Sequence, residues 1–252
     1  MRLTRFKIRP GHVLTAVGAC AALTAGTVAV ANNGSAAPPR PKVVVADADA
    51  LLPSDTATDW VTYSDHLAVV TITSERALPP SAEETAAGEG FIPRVVTAHV
   101  DQVLWSRPGA PTAPTTMDWD LDGWTFHGDE RTPLRVDGEP SMAVGERYVV
   151  PITYLSPTTT VDEAGWEPLS SDSLLPDADN TVGAGAKVYG YSGPQSDPAH
   201  TTDVKDDAWG GTPEELAATL AATPPDPNAA AYMDLPPDVR LSRANGTNHT
   251  TG

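Results

Sequence analysis

Apolar and polar residues in the middle of the chain alternate with a period of two, which is typical of β-strands. Residues 66–74 (HLAVVTITS) are rich in β-branched side chains, and residues 94–105 alternate clearly. Further strands are predicted in residues 116–127, 147–155 and 186–191. Pro151 predicts a sheet edge or a bulge. Glycine- and proline-rich turns separate the segments without helical crossovers, so we expect a mainly β domain over residues 60–191, a small antiparallel barrel or a sandwich.

A short helical arm is predicted after the strands, in residues 192–243. Residues 212–215 (TPEE) form a capping box with a proline in the first turn. Leu216 and Leu220 follow on one helical face and can pack on the β domain. A second short helix is predicted from Pro227.

Two segments are predicted to be disordered. Residues 32–59 are rich in Ala, Pro and Asp, and only residues 42–45 (KVVV) interrupt this linker composition. Residues 244–252 form a short polar tail.

The first 31 residues carry the features of an export segment. Residues 2–9 contain four basic side chains and no acid, and residues 13–31 are uncharged throughout. This pattern predicts export, either with cleavage after Ala31 or with residues 13–31 retained as a membrane anchor. Lipidation of Cys20 fits less well, because a long uncharged stretch follows it. The sequence therefore predicts an extracellular or cell-surface protein.

Composition narrows the possible partners. The 252 residues include 16 Lys+Arg and 33 Asp+Glu, which gives a net charge of −17. This balance argues against a nucleic-acid partner, because binding to phosphates begins with a positive surface. One cysteine excludes a disulfide framework and a cysteine-rich metal site.

Residues 118–123 (DWDLDG) match the opening of a calcium loop, D-x-D-x-D-G. Such a loop would use the carboxylates of Asp118, Asp120 and Asp122, with a glycine at the sharp turn. The twelfth position is Asp129 instead of glutamate, and no helices flank the loop. A calcium-stabilised β domain is kept as an alternative.

A β-hairpin explains the same residues better. Asp122-Gly123 is a strong two-residue turn sequence. With the turn there, Trp119 faces Phe126 on one side of the hairpin and Asp118 faces His127 on the other. The hairpin places every large apolar side chain on one face, with the acids toward water.

Three common catalytic motifs are absent from the sequence. The sequence has no G-x-S-x-G, S-x-x-K or H-E-x-x-H pattern. Asp118 and His127 could form an acid–base pair, but an ordinary cross-strand charge pair is the preferred interpretation. Glu83-Glu84 is interpreted as part of a solvated loop. An enzyme is therefore not indicated, although a hydrolase with an unrecognised site stays open.

Two tryptophans suggest one class of ligand, sugars. If Trp105 and Trp166 are exposed on the sheet, they can stack on sugars, and an exported protein would meet cell-wall glycans. The alternative is that the tryptophans fill the core. Filling of the core is the preferred interpretation, and a cell-wall glycan or an envelope protein is kept as a candidate partner.

Three segments carry a resemblance: residues 64–72 (SDHLAVVTI), 103–105 (VLW) and 144–150 (VGERYVV). Together they resemble uncharacterised secreted or membrane-anchored proteins of high-GC Gram-positive bacteria. The resemblance covers residues 60–190 and implies an OB-like barrel, without an assigned activity. We therefore expect an exported, non-catalytic binding or interaction module.

Overall fold

The computed structural model describes residues 44–46, 51–136, 138–157, 164–191, 193–194 and 203–246. Within these ranges the chain forms nine β-strands and five α-helices. The strands are β1 (Val44–Ala46), β2 (His66–Ala77), β3 (Glu89–Ser106), β4 (Thr116–His127), β5 (Glu130–Val136), β6 (Arg147–Leu155), β7 (Gly165–Pro168), β8 (Leu175–Ala178) and β9 (Thr181–Val182). The helices are α1 (Ala57–Tyr63), α2 (Ala82–Ala87), α3 (Val204–Ala208), α4 (Pro213–Ala222) and α5 (Pro237–Ala244).

The predicted export segment, residues 13–31 with Cys20, lies outside the described residues. Among the helices that are described, none has the length and apolar character needed to cross a bilayer.

The strands form one open sheet in the order β1-β5-β4-β3-β2-β6-β8-β9, and β7 pairs with the other half of β6. Strands β2 to β9 pair antiparallel, whereas β1 pairs parallel with β5. The predicted mainly β fold is confirmed. Of the two predicted architectures, a barrel or a sandwich, the barrel is wrong, because the pairing path through the described strands ends at β1 and at β9. Closure needs terminal strands that can share a ladder, and β9 has only two residues.

Two clusters of buried side chains form around this sheet. The helix-side core consists of Leu52, Trp60, Val61, Tyr63, Leu67, Val149, Leu169, Leu175, Val182, Val204, Ala208, Leu216 and Leu220. The inner core consists of Ala68, Val70, Ile72, Val96, Ala98, Met117, Trp119, Met142, Tyr148, Val150, Ile152 and Leu174. The period-two alternation of β2 and β6 divides their residues between the two cores.

The sheet curves so that β4 and β7 meet over the inner core. Trp119 Nε1 donates a hydrogen bond to the carbonyl of Trp166 at 3.2 Å. A side-chain hydrogen bond therefore joins these two strands where backbone pairing does not.

Strand β4 corrects the predicted hairpin. The chain runs straight through Asp122-Gly123 and turns at Gly128-Asp129, between β4 and β5. The register with β3 shifts by one residue near Gly123, which is a β-bulge. A Cβ on Gly123 would lie 2.2 Å from the carbonyl oxygen of Ile92, so this glycine permits close backbone approach instead of a turn.

The bulge preserves the predicted division of faces. Opposite residues in an antiparallel pair share a face, and the register matches Trp119 with Val96 and Phe126 with Gly90. Because β4 has one extra residue between these pairs, Trp119 and Phe126 fall on the same face. The prediction that these aromatic side chains lie on one face is therefore correct, although the turn from which it was derived is wrong.

The predicted last strand, residues 186–191, is also wrong. Only Val188 pairs there, in an isolated bridge with Pro140. The preceding loop instead packs on Trp209: a Cβ on Gly183, which has φ +84°, would lie 2.3 Å from the indole ring. A glycine is therefore needed at this position.

Pro151 lies inside β6, not at an edge, since it is paired with Leu67 of β2. Its carbonyl accepts from the Leu169 amide at 2.8 Å, on the side away from β2. A strand residue directs its N and carbonyl to the same side. The backbone nitrogen of Pro151, which carries no hydrogen, therefore faces the gap between β8 and β7. No backbone hydrogen bond from β6 is required there.

The predicted helix at residues 212–215 is confirmed. Helix α4 begins after Thr212 with the expected capping box to Glu215, and Leu216 and Leu220 are buried in the helix-side core. The second predicted helix does not begin at Pro227. One turn of 3-10 helix covers Ala230–Tyr232, and α5 begins at Pro237.

Two helices outside the predicted arm were missed. Residues 52–59 fall in the predicted linker, yet Leu52 is buried and α1 begins at Ala57 with a capping box between Thr56 and Asp59. Glu83-Glu84 falls in α2, where Glu84 forms a capping box with Ser81. Short helices of this kind depend on their caps more than on an apolar stripe.

Candidate functional site

The three aspartates of the predicted calcium loop lie in three different surroundings. Asp118 accepts from the Thr97 hydroxyl at 2.6 Å and lies 3.7 Å from Arg76. Asp120 is exposed, and Asp122 is half-buried with its pKa raised by burial. Because they belong to an extended strand, their carboxylates do not converge. The described part of the chain holds no group of three or more His, Cys, Asp or Glu side chains suited to a metal ion.

The predicted Asp118–His127 pair does not form. Both residues lie on β4, at opposite ends of the same strand. His127 Nδ1 lies 3.2 Å from Glu89 on β3 instead. The predicted pairing required a hairpin turn at Asp122-Gly123, which the structure does not have.

Most of the tryptophans pack against other side chains of the protein. Trp60 and Trp119 are fully buried. Trp105 is half-buried and packs against the helix-side core. Trp166 is half-buried, with its ring 5.3 Å from His66 and 5.5 Å from Tyr154. Neither predicted ligand-binding tryptophan is a freely exposed platform.

A polar cluster that the sequence analysis missed lies where β2 begins and β3 ends. We call Asp65, His66, Ser106 and Arg107 the β2–β3 polar cluster. Asp65 and Arg107 form an ion pair of 2.6 Å, and both are almost fully buried. The backbone amide of Tyr154 also donates to Asp65, at 2.7 Å. The predicted strand limits, 66–74 and 94–105, already place His66 near the end of the neighbouring strand, so register was the signal that could have found it.

Two buried arginines attach the C-terminal arm to this cluster. Arg107 donates to the carbonyl of Met233 at 3.1 Å. Arg240 donates to the carbonyls of Thr62, Met233 and Leu235. Burial, followed by the like charge of Arg107, lowers the pKa of Arg240 to about 10. The arm is therefore fastened by arginine–carbonyl hydrogen bonds that its apolar pattern does not reveal.

His66 has a defined partner on each ring nitrogen. Nδ1 lies 2.8 Å from the Ser106 hydroxyl and Nε2 lies 2.8 Å from the carbonyl of Pro111. Burial lowers the pKa of His66. The imidazole is therefore neutral near pH 7.

The buried Glu139 and the half-buried Glu167 lie beside aspartates of β4. Burial, followed by the nearby Asp122, raises the pKa of Glu139 to about 7. Burial, followed by Asp120, raises the pKa of Glu167 to about 7. Arg94 of β3 donates to the carbonyl of Asp122 at 2.8 Å and to Glu75 at 3.1 Å.

Aromatic and cationic side chains meet beside β5. The Tyr189 ring lies 4.7 Å from Lys187 Nζ and 5.8 Å from the Arg135 guanidinium. These contacts are within the range of cation–π attraction. They place two positive charges beside the residues of β5 that pair with β1.

A depression of about 250 Å³ lies at the tip of the β4–β5 hairpin. Its apolar surface comes from Pro80, Ile92 and Phe126, and Asp129 and Arg131 lie at its rim. It brings together none of the site residues predicted from the sequence.

No family model, curated protein or solved structure matches this chain. The resemblance to uncharacterised exported proteins therefore stays a prediction.

Proposed function

We propose that this chain is an exported interaction module that binds an extended segment of a partner protein as an added strand beside β5. Export is inferred from the basic residues 2–9 and the uncharged residues 13–31. The binding mode is inferred from one observation, the parallel pairing of β1 with β5.

This pairing supports the proposal because β1 comes from a distant part of the chain. Val44, Val45 and Ala46 pair with Leu134, Arg135 and Val136. They belong to the short β-branched run that interrupts the Ala-, Pro- and Asp-rich linker. An edge that recruits an extended segment from a linker has the backbone geometry that peptide binding by strand addition requires.

The β5 edge also provides side-chain selectivity. Leu134 and Val136 are each 7 % exposed, with the half-buried Arg135 between them. Side chains alternate along a strand, so a bound segment meets an apolar environment at every second position. We therefore expect partners with small apolar residues at alternate positions.

The resident strand is short enough to be displaced. Strand β1 pairs through three residues, whereas strands in folded proteins usually have about five or six. A longer extended segment would continue pairing beyond the contact that β1 makes.

Peptide titration into the full chain tests the proposal. A fluorescein-labelled peptide with the sequence of residues 40–48 is expected to give saturable binding by fluorescence anisotropy. The control peptide has prolines at positions 44 and 45, which removes two backbone donors. We expect it not to bind.

The position of the peptide is tested by photo-crosslinking. A photoreactive residue at position 45 should label residues 134–136. Equal binding of the proline peptide, or crosslinks distributed over other strands, would contradict strand addition at β5.

A further inference from the structure

Ser106 and His66 form a hydroxyl–imidazole pair away from the proposed strand-binding edge. His66 begins β2 and Ser106 ends β3, and the antiparallel register places them opposite each other. Ser106 Oγ lies 2.8 Å from His66 Nδ1. A hydroxyl in contact with an imidazole that a third group orients is the arrangement of activated serine nucleophiles.

The carbonyl of Pro111 is the third group, and it defines the tautomer of His66. Pro111 O lies 2.8 Å from Nε2, and a carbonyl only accepts hydrogen bonds, so Nε2 carries the hydrogen. In the neutral ring Nδ1 then holds a free lone pair. The Ser106 hydroxyl must therefore donate to Nδ1, which directs its proton toward a base.

The base is buried and the nucleophile is accessible. His66 is 4 % exposed, whereas Ser106 is exposed. The ring of Trp166 lies beside the imidazole, with Tyr154 next to it. A substrate can therefore approach the hydroxyl from solvent while aromatic surface lies close to the base.

We propose that Ser106 is a nucleophile activated by His66, and that it accepts acyl groups from esters with an apolar or aromatic acyl part. Ser106 Oγ bonds to the ester carbonyl carbon, and its proton moves to His66 Nδ1. The bond to the alcohol oxygen breaks, and the departing alcohol takes the proton from Nδ1. Water then attacks the acyl-serine, giving one proton to Nδ1, which returns it to Ser106 as the carboxylic acid leaves.

A fluorophosphonate probe tests this reactivity without knowledge of the natural ester. The probe phosphonylates an activated serine hydroxyl with loss of fluoride, and mass spectrometry of peptides locates the adduct. We expect one adduct, on Ser106, and none in the Ser106→Ala chain. Ser74→Ala, which alters an exposed serine on the neighbouring strand β2, should leave labelling unchanged.

The role of His66 is tested by rate. The His66→Gln chain should be labelled at least about 10-fold more slowly, because a positioned base contributes that much or more. The labelling rate should also fall as the pH is lowered and His66 becomes protonated. Asp65 and Arg107 are the charged groups beside this ring, and their effects on its pKa oppose each other.

A thiol variant keeps the proposal testable if His66→Gln does not fold. In a Cys20→Ser background, the thiols of Ser106→Cys and Ser74→Cys are alkylated with iodoacetamide from pH 5 to 9. We expect Ser106→Cys to react at lower pH, because a neighbouring imidazole favours the thiolate. Identical pH profiles, or failure of the unmodified chain to label at Ser106, would overturn the proposal. Neither result affects strand binding at β5.

Discussion

Two stretches of this chain combine an aspartate with a histidine, and the fold treats them in opposite ways. In β4, the exposed side chains of Asp118 and His127 lie near opposite ends of the strand and contact different neighbours. Where β2 begins, Asp65 and His66 are both buried, and Arg107 fixes the carboxylate. Water satisfies the exposed charges, whereas a buried charge needs a fixed partner. Local composition therefore does not identify a site, because burial decides which side chains are held together.

Removing the buried carboxylate should have the largest effect. We expect Asp65→Ala to lower the free energy of unfolding by about 3–5 kcal/mol, because Arg107 would stay buried without its charge partner. Urea denaturation measures the loss. The matched variant Asp118→Ala should cost no more than about 1 kcal/mol, since that pair is exposed. Similar losses in the two variants would show that burial does not distinguish the two stretches.

The second-largest effect is expected in the dependence of folding stability on pH. The pKa of Glu139 is about 7 in the folded chain and near 4.5 when unfolded, so the folded state holds a proton that the unfolded state releases between these values. Stability should therefore fall as pH rises from about 4.5 to 7, by at most about 3 kcal/mol from this group, and then level off. Arg94 and Arg135 oppose the shift, and Asp122 adds to it.

Thermal unfolding from pH 4.5 to 8 measures this dependence. Glu139→Gln should make the fall in stability smaller, because the neutral amide does not titrate, while Glu167 still contributes. Glu83→Gln, an exposed change in α2, should leave the profile as it is. A profile that rises from pH 4.5 to 7 would contradict a buried, protonated Glu139.

The third effect concerns the bulge in β4. Gly123→Ala would bring a methyl group against the Ile92 carbonyl, and we expect a loss of about 1–3 kcal/mol. Gly128, at the turn, has φ +57° and open space around it. Gly128→Ala should therefore cost about 1 kcal/mol from backbone strain alone. A larger loss at Gly128 than at Gly123 would count against the bulge.

The smallest effect is expected from calcium. Because Asp118, Asp120 and Asp122 occupy separate surroundings, millimolar calcium should shift the melting temperature no more than magnesium at equal ionic strength. A ligand that prefers the folded state must stabilise it. A calcium-specific rise that Asp120→Asn removes would restore the calcium alternative.

Sequence reasoning succeeded where neighbouring residues carry the information. Strand β6 has the predicted limits, and α4 begins at the predicted cap, because period-two alternation and capping boxes act over a few residues. It failed at Asp122-Gly123, where a turn sequence serves as a bulge. The competing partner there, the Ile92 carbonyl on β3, is remote in sequence.

The amino-acid sequence alone determined the β-rich class and the C-terminal helix. Only the tertiary structure decided that the sheet stays open, that Arg107 and Arg240 fasten the arm, and that Ser106 meets His66. Alternation and capping depend on residues a few positions apart, so a single segment contains them. Register, closure and buried polar pairs depend on which distant strands become neighbours, and that is set by the packing of the whole chain.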